Sequence, residues 1–299
     1  MIYHKSVLLD ESIEALAIKP DGIYVDATYG GGGHARAILE RLKEGRLVAF
    51  DQDEEAIRNK IDDPRLIMVH NNFRYLRNLL KLHKLYPVDG ILADLGISSY
   101  QIDQAERGFS TRFEGILDMR MDRRKHRTAK DIVNQYTEDR LAFLFKTFGE
   151  IRNGARLASL IIKARKEKPI ETTAGLKEIS RTCAERGKEN KFFAQVFQAL
   201  RIEVNQEMDS LKEFLKQASL ALKPTGRLVI ISYHSLEDKL VKNFFRSGNV
   251  DGELQKDFYG NVLNPLKVIS RKAIVPTGDE IAENSRARSA RLRVAERIG

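Results

Sequence analysis

Val25-Asp26-Ala27-Thr28-Tyr29-Gly30-Gly31-Gly32-Gly33-His34 joins an apolar strand to a helical pattern, and that junction decides the fold. Ile23 and Val25 lead into it, and beyond it Ala35, Ile38, Leu39 and Leu42 recur at helical spacing until Gly45 stops the pattern. The glycines let a ligand approach bare backbone, and the amides that open the helix favour an anionic group such as a carboxylate or phosphate. A second strand, Leu47-Val48-Ala49-Phe50, ends on Asp51. A carboxylate at that strand tip, beside the glycine loop, is placed to accept both hydrogen bonds of a ribose diol. The expected ligand therefore contains a nucleoside.

Two such ligands suit the spelling. Gly30-x-Gly32-x-x-Ala35 satisfies the dinucleotide fingerprint, with an acid roughly twenty residues on, so NAD is one. Against it stands Asp26, which would set a negative charge against a pyrophosphate. S-adenosylmethionine brings a sulfonium and an ammonium, which a carboxylate suits, and is the favoured ligand.

Composition bounds the rest. The 299 residues suffice for one large domain or two smaller ones, each with its own core. Cys183 is the single cysteine, so no internal disulfide forms, and no stretch reads as a signal peptide or membrane span. The expected setting is reducing and cytoplasmic, without membrane association. Histidines at 4, 34, 70, 83, 126 and 234 lack metal-ligand spacing, and no metal site is expected. The net charge is +9, and its placement is uneven: Asp103 to Asn205 holds 22 basic and 15 acidic residues, against 29 and 27 elsewhere. Runs such as Arg120 to Arg127 and Lys163 to Lys168 suit a phosphate backbone.

Strand and helix signals alternate up to about residue 100, with strands at Gly22 to Asp26, Leu47 to Asp51, Leu66 to His70 and Asp89 to Asp94. From 128 to 192 only helical periodicity remains. One long amphipathic helix is expected along Val196, Phe197, Leu200, Val204, Met208, Leu211 and Leu215, ended by Pro224-Thr225-Gly226. Arg227 to Ser232 resumes the sheet, and Leu266 to Ala273 with Ala290 to Ile298 read as edge strands of a terminal hairpin. The reading is an α/β fold with a mostly parallel, doubly wound sheet over 1–102 and 206–299, interrupted by an all-helical basic insert over 103–205 that would recognise RNA.

The fourth strand ends in Asp94-Leu95-Gly96-Ile97-Ser98-Ser99-Tyr100-Gln101, at the carboxyl edge where open sheets place ligands. Methyl transfer is an in-line displacement that relies on positioning, with a proton acceptor needed where the nucleophile is an N–H group, and Asp94 can serve. Taken together, the chain resembles the bacterial ribosomal RNA small subunit methyltransferase H family, formerly called MraW. The resemblance rests on His4-x-x-Val7-Leu8-Leu9-x-Glu11, the glycine loop and the Asp94 segment. It continues through Arg107-Gly108-Phe109-Ser110, Leu117 to Asp122, Phe197 to Asn205, Ser232-Tyr233-His234-Ser235-Leu236-Glu237-Asp238 and Arg286-Ala287-Arg288-Ser289.

That resemblance implies a class I, Rossmann-like fold and S-adenosylmethionine-dependent methylation of N4 of a cytidine in the decoding region of 16S ribosomal RNA, within the small subunit. The enzyme would be a monomer or homodimer. Cofactor contacts carry over to Gly32, Gly33, His34, Asp51, Phe73, Asp94 and Gln101. Asp94 and His234 are the catalytic candidates, with the cytidine turned out of its stack. The chain departs from the family's commoner pattern at Tyr100, Gln195 and Ser285. A non-catalytic RNA-binding assembly factor on the same scaffold is the alternative.

Overall fold

The computed structural model describes residues 6–299, so His4 of the N-terminal motif lies outside the described residues. The chain divides into two compact units, one formed by Met1–Gly96 with Met208–Gly299 and the other by Ile97–Glu207.

The first unit begins with α1 (Leu9–Leu16), β1 (Ile23–Asp26), α2 (Gly33–Arg41), β2 (Arg46–Asp51), α3 (Glu54–Arg58), β3 (Leu66–His70), α4 (Leu76–Leu82) and β4 (Val88–Asp94). The helical unit contributes α5 (Ser99–Asp103), α6 (Ala129–Gln135), α7 (Glu138–Phe148), α8 (Gly154–Glu167), α9 (Thr173–Arg181) and α10 (Glu189–Asn205). The first unit then resumes along α11 (Glu207–Ala221), β5 (Leu222–Ser232), α12 (Ser235–Ser247), β6 (Leu266–Val268), α13 (Gly278–Glu283) and β7 (Arg291–Arg297).

The seven strands form one sheet in the order β3-β2-β1-β4-β5-β7-β6. The first five are parallel, and β7 runs antiparallel to both β5 and β6. Successive side chains of a strand point to opposite faces, and each face is covered. Val25, Phe50, Ile91, Leu228 and Ile230 pack with Leu76, Leu80, Phe214 and Phe244 on one side. Tyr24, Leu47, Ala49, Leu92 and Val229 pack with Leu16, Ile38 and Leu39 on the other. In the helical unit Ile132, Leu141, Phe145, Leu157, Ile161, Val196 and Leu200 build a separate core.

Three expectations need correction. The apolar stripe from Val196 to Leu215 is two helices, because Gln206 takes the left-handed conformation at φ 53°. Asn205 fixes that break, donating to Met119 O at 2.8 Å and Arg201 O at 2.9 Å while accepting the Met121 amide at 2.8 Å. Pro224-Thr225-Gly226 does not precede β5 but lies within it. The strand pairs Leu222 with Val88, shifts register, and resumes at Arg227 opposite Gly90.

Lastly, β7 is an inner strand, and of the terminal hairpin only the three-residue β6 lies at an edge of the sheet. The charged side chains of β7 are paired there: the buried Arg293 guanidinium is held by Asp238 of α12 at 2.6 Å, and Glu296 pairs with Arg227 at 2.8 Å. Paired charges are tolerated inside a sheet where unpaired ones are not.

Candidate active site

Each of the three central parallel strands, β2, β1 and β4, ends in an aspartate at the carboxyl edge: Asp51, Asp26 and Asp94. Strand order reverses between β1 and β4, the point where open α/β sheets bind ligands. The backbone shows the parting directly. Ala27 donates its amide to Leu92 O of β4, and Tyr29 donates to Phe50 O of β2, both at 2.8 Å. The glycine loop opens out from this split.

Gly30 and Gly32 adopt φ of 52° and 75°, and Gly32 sits under the Tyr29 ring. A Cβ there would meet the Tyr29 hydroxyl at 2.6 Å and Cζ at 2.8 Å. That ring cannot easily yield, since its hydroxyl accepts the Ile61 amide at 2.9 Å. We therefore expect Gly32→Ala to cost about 2 kcal/mol from the left-handed backbone and the clash, read as a lower thermal midpoint together with weaker cofactor binding.

His34 lies in the first turn of α2 and is 5% exposed. Its Nε2 lies 3.1 Å from the Val7 carbonyl, which fixes Nε2 as the donor and turns the unprotonated Nδ1 toward Asp94 Oδ2, 3.8 Å away. Burial lowers its pKa to about 4, so the ring is neutral at physiological pH. His34 thus contributes a lone pair, not a cation, to the site.

Asp94 is held from two directions. Its amide donates to Thr28 Oγ1 at 2.7 Å, and its Oδ1 accepts the Tyr233 hydroxyl at 2.7 Å. Burial lifts its carboxyl to about 7, opposed by the Tyr233 hydrogen bond and reinforced by the charges of Asp26 and Glu237. Asp26 behaves alike: burial raises it to about 7, the Thr28 amide on Oδ1 opposes the rise, and Asp51 adds to it. Its Oδ2 is buried and accepts no hydrogen bond among the described residues. Asp51 rises to about 6 through burial, although it accepts the Gly30 and Asp53 amides at 2.8 Å each.

Three carboxyls whose burial resists their ionisation suit a ligand carrying positive charge. They oppose a pyrophosphate. Together with a loop at which added side chains collide, this donor set fits S-adenosylmethionine, whose sulfonium and ammonium are cationic.

The structure therefore gathers Gly32, Gly33, His34, Asp51 and Asp94 at one edge. Phe73 lies in the turn after β3, part-buried with its ring edge-on to Phe214 at 5.0 Å. Gln101 belongs to the helical unit and closes a capping box at the start of α5, its Oε1 accepting the Ser98 amide at 3.2 Å. His234 caps α12, its Nδ1 accepting the Glu237 amide at 3.4 Å, with Nε2 3.2 Å from Glu237 Oε1. Sequence reasoning assigned no role to Thr28 or Tyr233. Both stand inside quoted motifs, but their partners are distant in sequence, and only the fold brings them to Asp94.

Within the helical unit the basic runs are partly spent on structure. Arg120 and Arg124 each pair with the aspartate two residues earlier, at 2.8 Å. Arg165 donates to the Val133 and Tyr136 carbonyls.

Residues 1–298 match the family model described as the MraW methylase family. Relatives named ribosomal RNA small subunit methyltransferase H include one from Bacteroides fragilis (strain YCH46), 55% identical over 296 residues, covering 99% of this chain and 97% of that protein. Another, from Amoebophilus asiaticus, is 56% identical over 297 residues, covering 99% and 96%. A third, from Christiangramia forsetii, is 51% identical over 299 residues, covering 100% and 99%.

Proposed function

The chain belongs to the MraW methylase family, and from that premise we propose that it methylates the exocyclic N4 of a cytidine in the decoding region of 16S ribosomal RNA. It is an S-adenosylmethionine-dependent methyltransferase of small-subunit ribosomal RNA. The observation that supports the chemistry best is the row of strand-end carboxylates, Asp51, Asp26 and Asp94, around the glycine loop.

When bound, S-adenosylmethionine supplies a methyl group on a sulfonium, open to in-line displacement. Asp51 would hold the ribose through lone pairs that the Gly30 and Asp53 amides leave unused. Gly32, Gly33 and His34 would cradle the methionine end, Asp26 and Asp94 would balance its charge, and Phe73 would lie against the adenine. Gln101 is the remaining cofactor contact in this reading. The lone pair of a cytosine N4 is delocalised into the ring, so the amine is a poor nucleophile until an acceptor engages its N–H.

Asp94 Oδ2 is the acceptor we favour, because Tyr233 occupies Oδ1 and fixes the carboxyl plane. As nitrogen gains the methyl group, the N–H proton passes to that oxygen, whose pKa near 7 suits a general base. His234 would orient the base or relay the proton onward. The basic segment 103–205 would bind the RNA backbone, and the reaction belongs in the cytoplasm, where ribosomes are assembled.

The test is transfer of radiolabelled methyl from S-adenosylmethionine to undermethylated small subunits and, in parallel, to naked 16S RNA, with nucleoside analysis of the product. Label in N4-methylcytidine is expected. Label in another nucleoside would replace the acceptor, and cofactor binding without any transfer would favour an assembly factor.

A further inference from the structure

Outside the basic helical unit, Asn71 to Val88 of the first unit carries four Lys or Arg residues and no Asp or Glu of its own. These residues lie on α4 and its flanking turns, interleaved with tyrosines. The Arg74 guanidinium lies 5.9 Å from the Tyr75 ring centroid, and Arg77 and Lys81 lie 5.7 and 5.3 Å from that of Tyr86. Tyr75 is 48% exposed. Lys81 and Lys84 are exposed.

A basic run is ordinarily a solvated face neutralised by its neighbours, and α11 shows that case. Lys212 and Lys216 pair with Asp209 and Glu213 one turn away, and Lys223, just beyond the helix, pairs with Asp89. By contrast, among the described residues Arg77, Lys81 and Lys84 form no ion pair. The stripe also has a direction. β3 delivers the chain to the carboxyl edge at His70, Phe73 follows at once, and α4 returns the chain toward the start of β4. Arg74 and Tyr75 therefore stand beside the candidate cofactor edge, and Lys81, Lys84 and Tyr86 lead away from it.

We propose that this face is a second contact for ribosomal RNA, on the methyltransferase unit itself. Arg74, Arg77, Lys81 and Lys84 take backbone phosphates, and the exposed Tyr75 ring offers a surface for an unstacked base. Charge selects a polyanion, and aromatic rings beside the cations select one that carries bases over an acidic protein. The proposal rests on the reading of ribosomal RNA as substrate and extends it to residues outside the insert.

The experiment compares the full-length wild type with Lys81→Gln/Lys84→Gln and with Tyr75→Ala in binding undermethylated small subunits and 16S RNA between 50 and 200 mM salt, roughly the range over which counterion release dominates. Losing two phosphate contacts should lower the slope of log affinity against log salt by about 1.4, with roughly tenfold weaker binding at the low-salt end. KM for RNA should rise, while kcat, S-adenosylmethionine affinity and thermal midpoint stay at wild-type values. Tyr75→Ala should weaken binding severalfold with the salt slope unchanged. The control Lys212→Gln/Lys216→Gln should do neither.

An unchanged slope in the Lys81/Lys84 variant, with the wild type transferring methyl normally, overturns this face and leaves the functional reading standing. A wild type that transfers no methyl to RNA overturns that reading instead. Polyglutamate competing as well as RNA of equal charge would assign the face to an acidic protein and overturn the proposal.

Discussion

Asp94→Asn should lower single-turnover methyl transfer by ~10²–10⁴-fold, the range expected when a positioned proton acceptor is lost. The substitution is nearly isosteric. An asparagine Oδ1 can still accept the Tyr233 hydroxyl, so the side chain stays in place, but an amide nitrogen now stands 3.8 Å from His34 Nδ1 where Asp94 Oδ2 stood. That nitrogen cannot take a proton from the target amine. Cofactor affinity should fall less, by about tenfold, because Asp26 keeps its charge.

Tyr233→Phe is the companion measurement. It removes the hydroxyl that fixes Asp94 and should cost roughly tenfold in kcat with little change in KM for RNA. Phenylalanine also removes the hydrogen bond that holds the Asp94 pKa down, so the acidic limb of the rate profile should move to higher pH. A purely structural role for Tyr233 would leave that limb where it is. A full transfer rate in Asp94→Asn would sink the assignment of the acceptor. His234→Ala separates the second candidate in the same assay. If the ring only caps α12, stability drops by about 1 kcal/mol and turnover at full cofactor occupancy is kept.

The core of this site was legible because its signals are local. A strand, a glycine loop and a helix within about twenty residues force a ligand-binding turn, and Asp26, Asp51 and Asp94 each follow an apolar run that only a buried strand explains. What stayed hidden depends on pairing across distance. Tyr233 meets Asp94 across 139 positions, and Arg293 meets Asp238 across 55, so neither the fixed carboxyl plane nor the inner position of β7 could be read from periodicity. The Val196 to Leu215 stripe failed for a related reason. Helical spacing continues through Gln206, whereas the break is imposed by Asn205 bonding to Met119 and Met121, residues of a distant loop. The tyrosines and cations of α4 and its flanks are visible as letters but gain meaning only once Arg77, Lys81 and Lys84 are seen to form no ion pair among the described residues.

Asp26→Asn should make the cofactor-free protein more stable at neutral pH and bind S-adenosylmethionine worse, two effects of opposite sign from one charge. The folded carboxyl titrates near 7, against about 3.9 in an unfolded chain, so folding retains a proton between those values. The stability tied to that proton is fully present below about pH 4, erodes as pH rises through 7, and is gone above it. Asparagine carries no such penalty. Its gain over the wild type should therefore be absent near pH 4 and largest at pH 8.

The full three-unit shift would correspond to roughly 4 kcal/mol. Asparagine also leaves an amide nitrogen where Oδ2 has no partner, which costs about 1–3 kcal/mol, so a net gain of ~1–3 kcal/mol is expected in chemical or thermal unfolding. Binding shows the converse. In the wild type a cationic ligand favours the ionised carboxyl, so S-adenosylmethionine should bind more tightly from pH 6 to pH 8 and release protons as it does so at the lower end. Asp26→Asn should weaken binding by about 10–100-fold at pH 8 and remove part of that proton release, measured by calorimetry in buffers of different ionisation enthalpy. Unaltered affinity together with unaltered proton release would show that the buried charge at the end of β1 does not serve the cofactor.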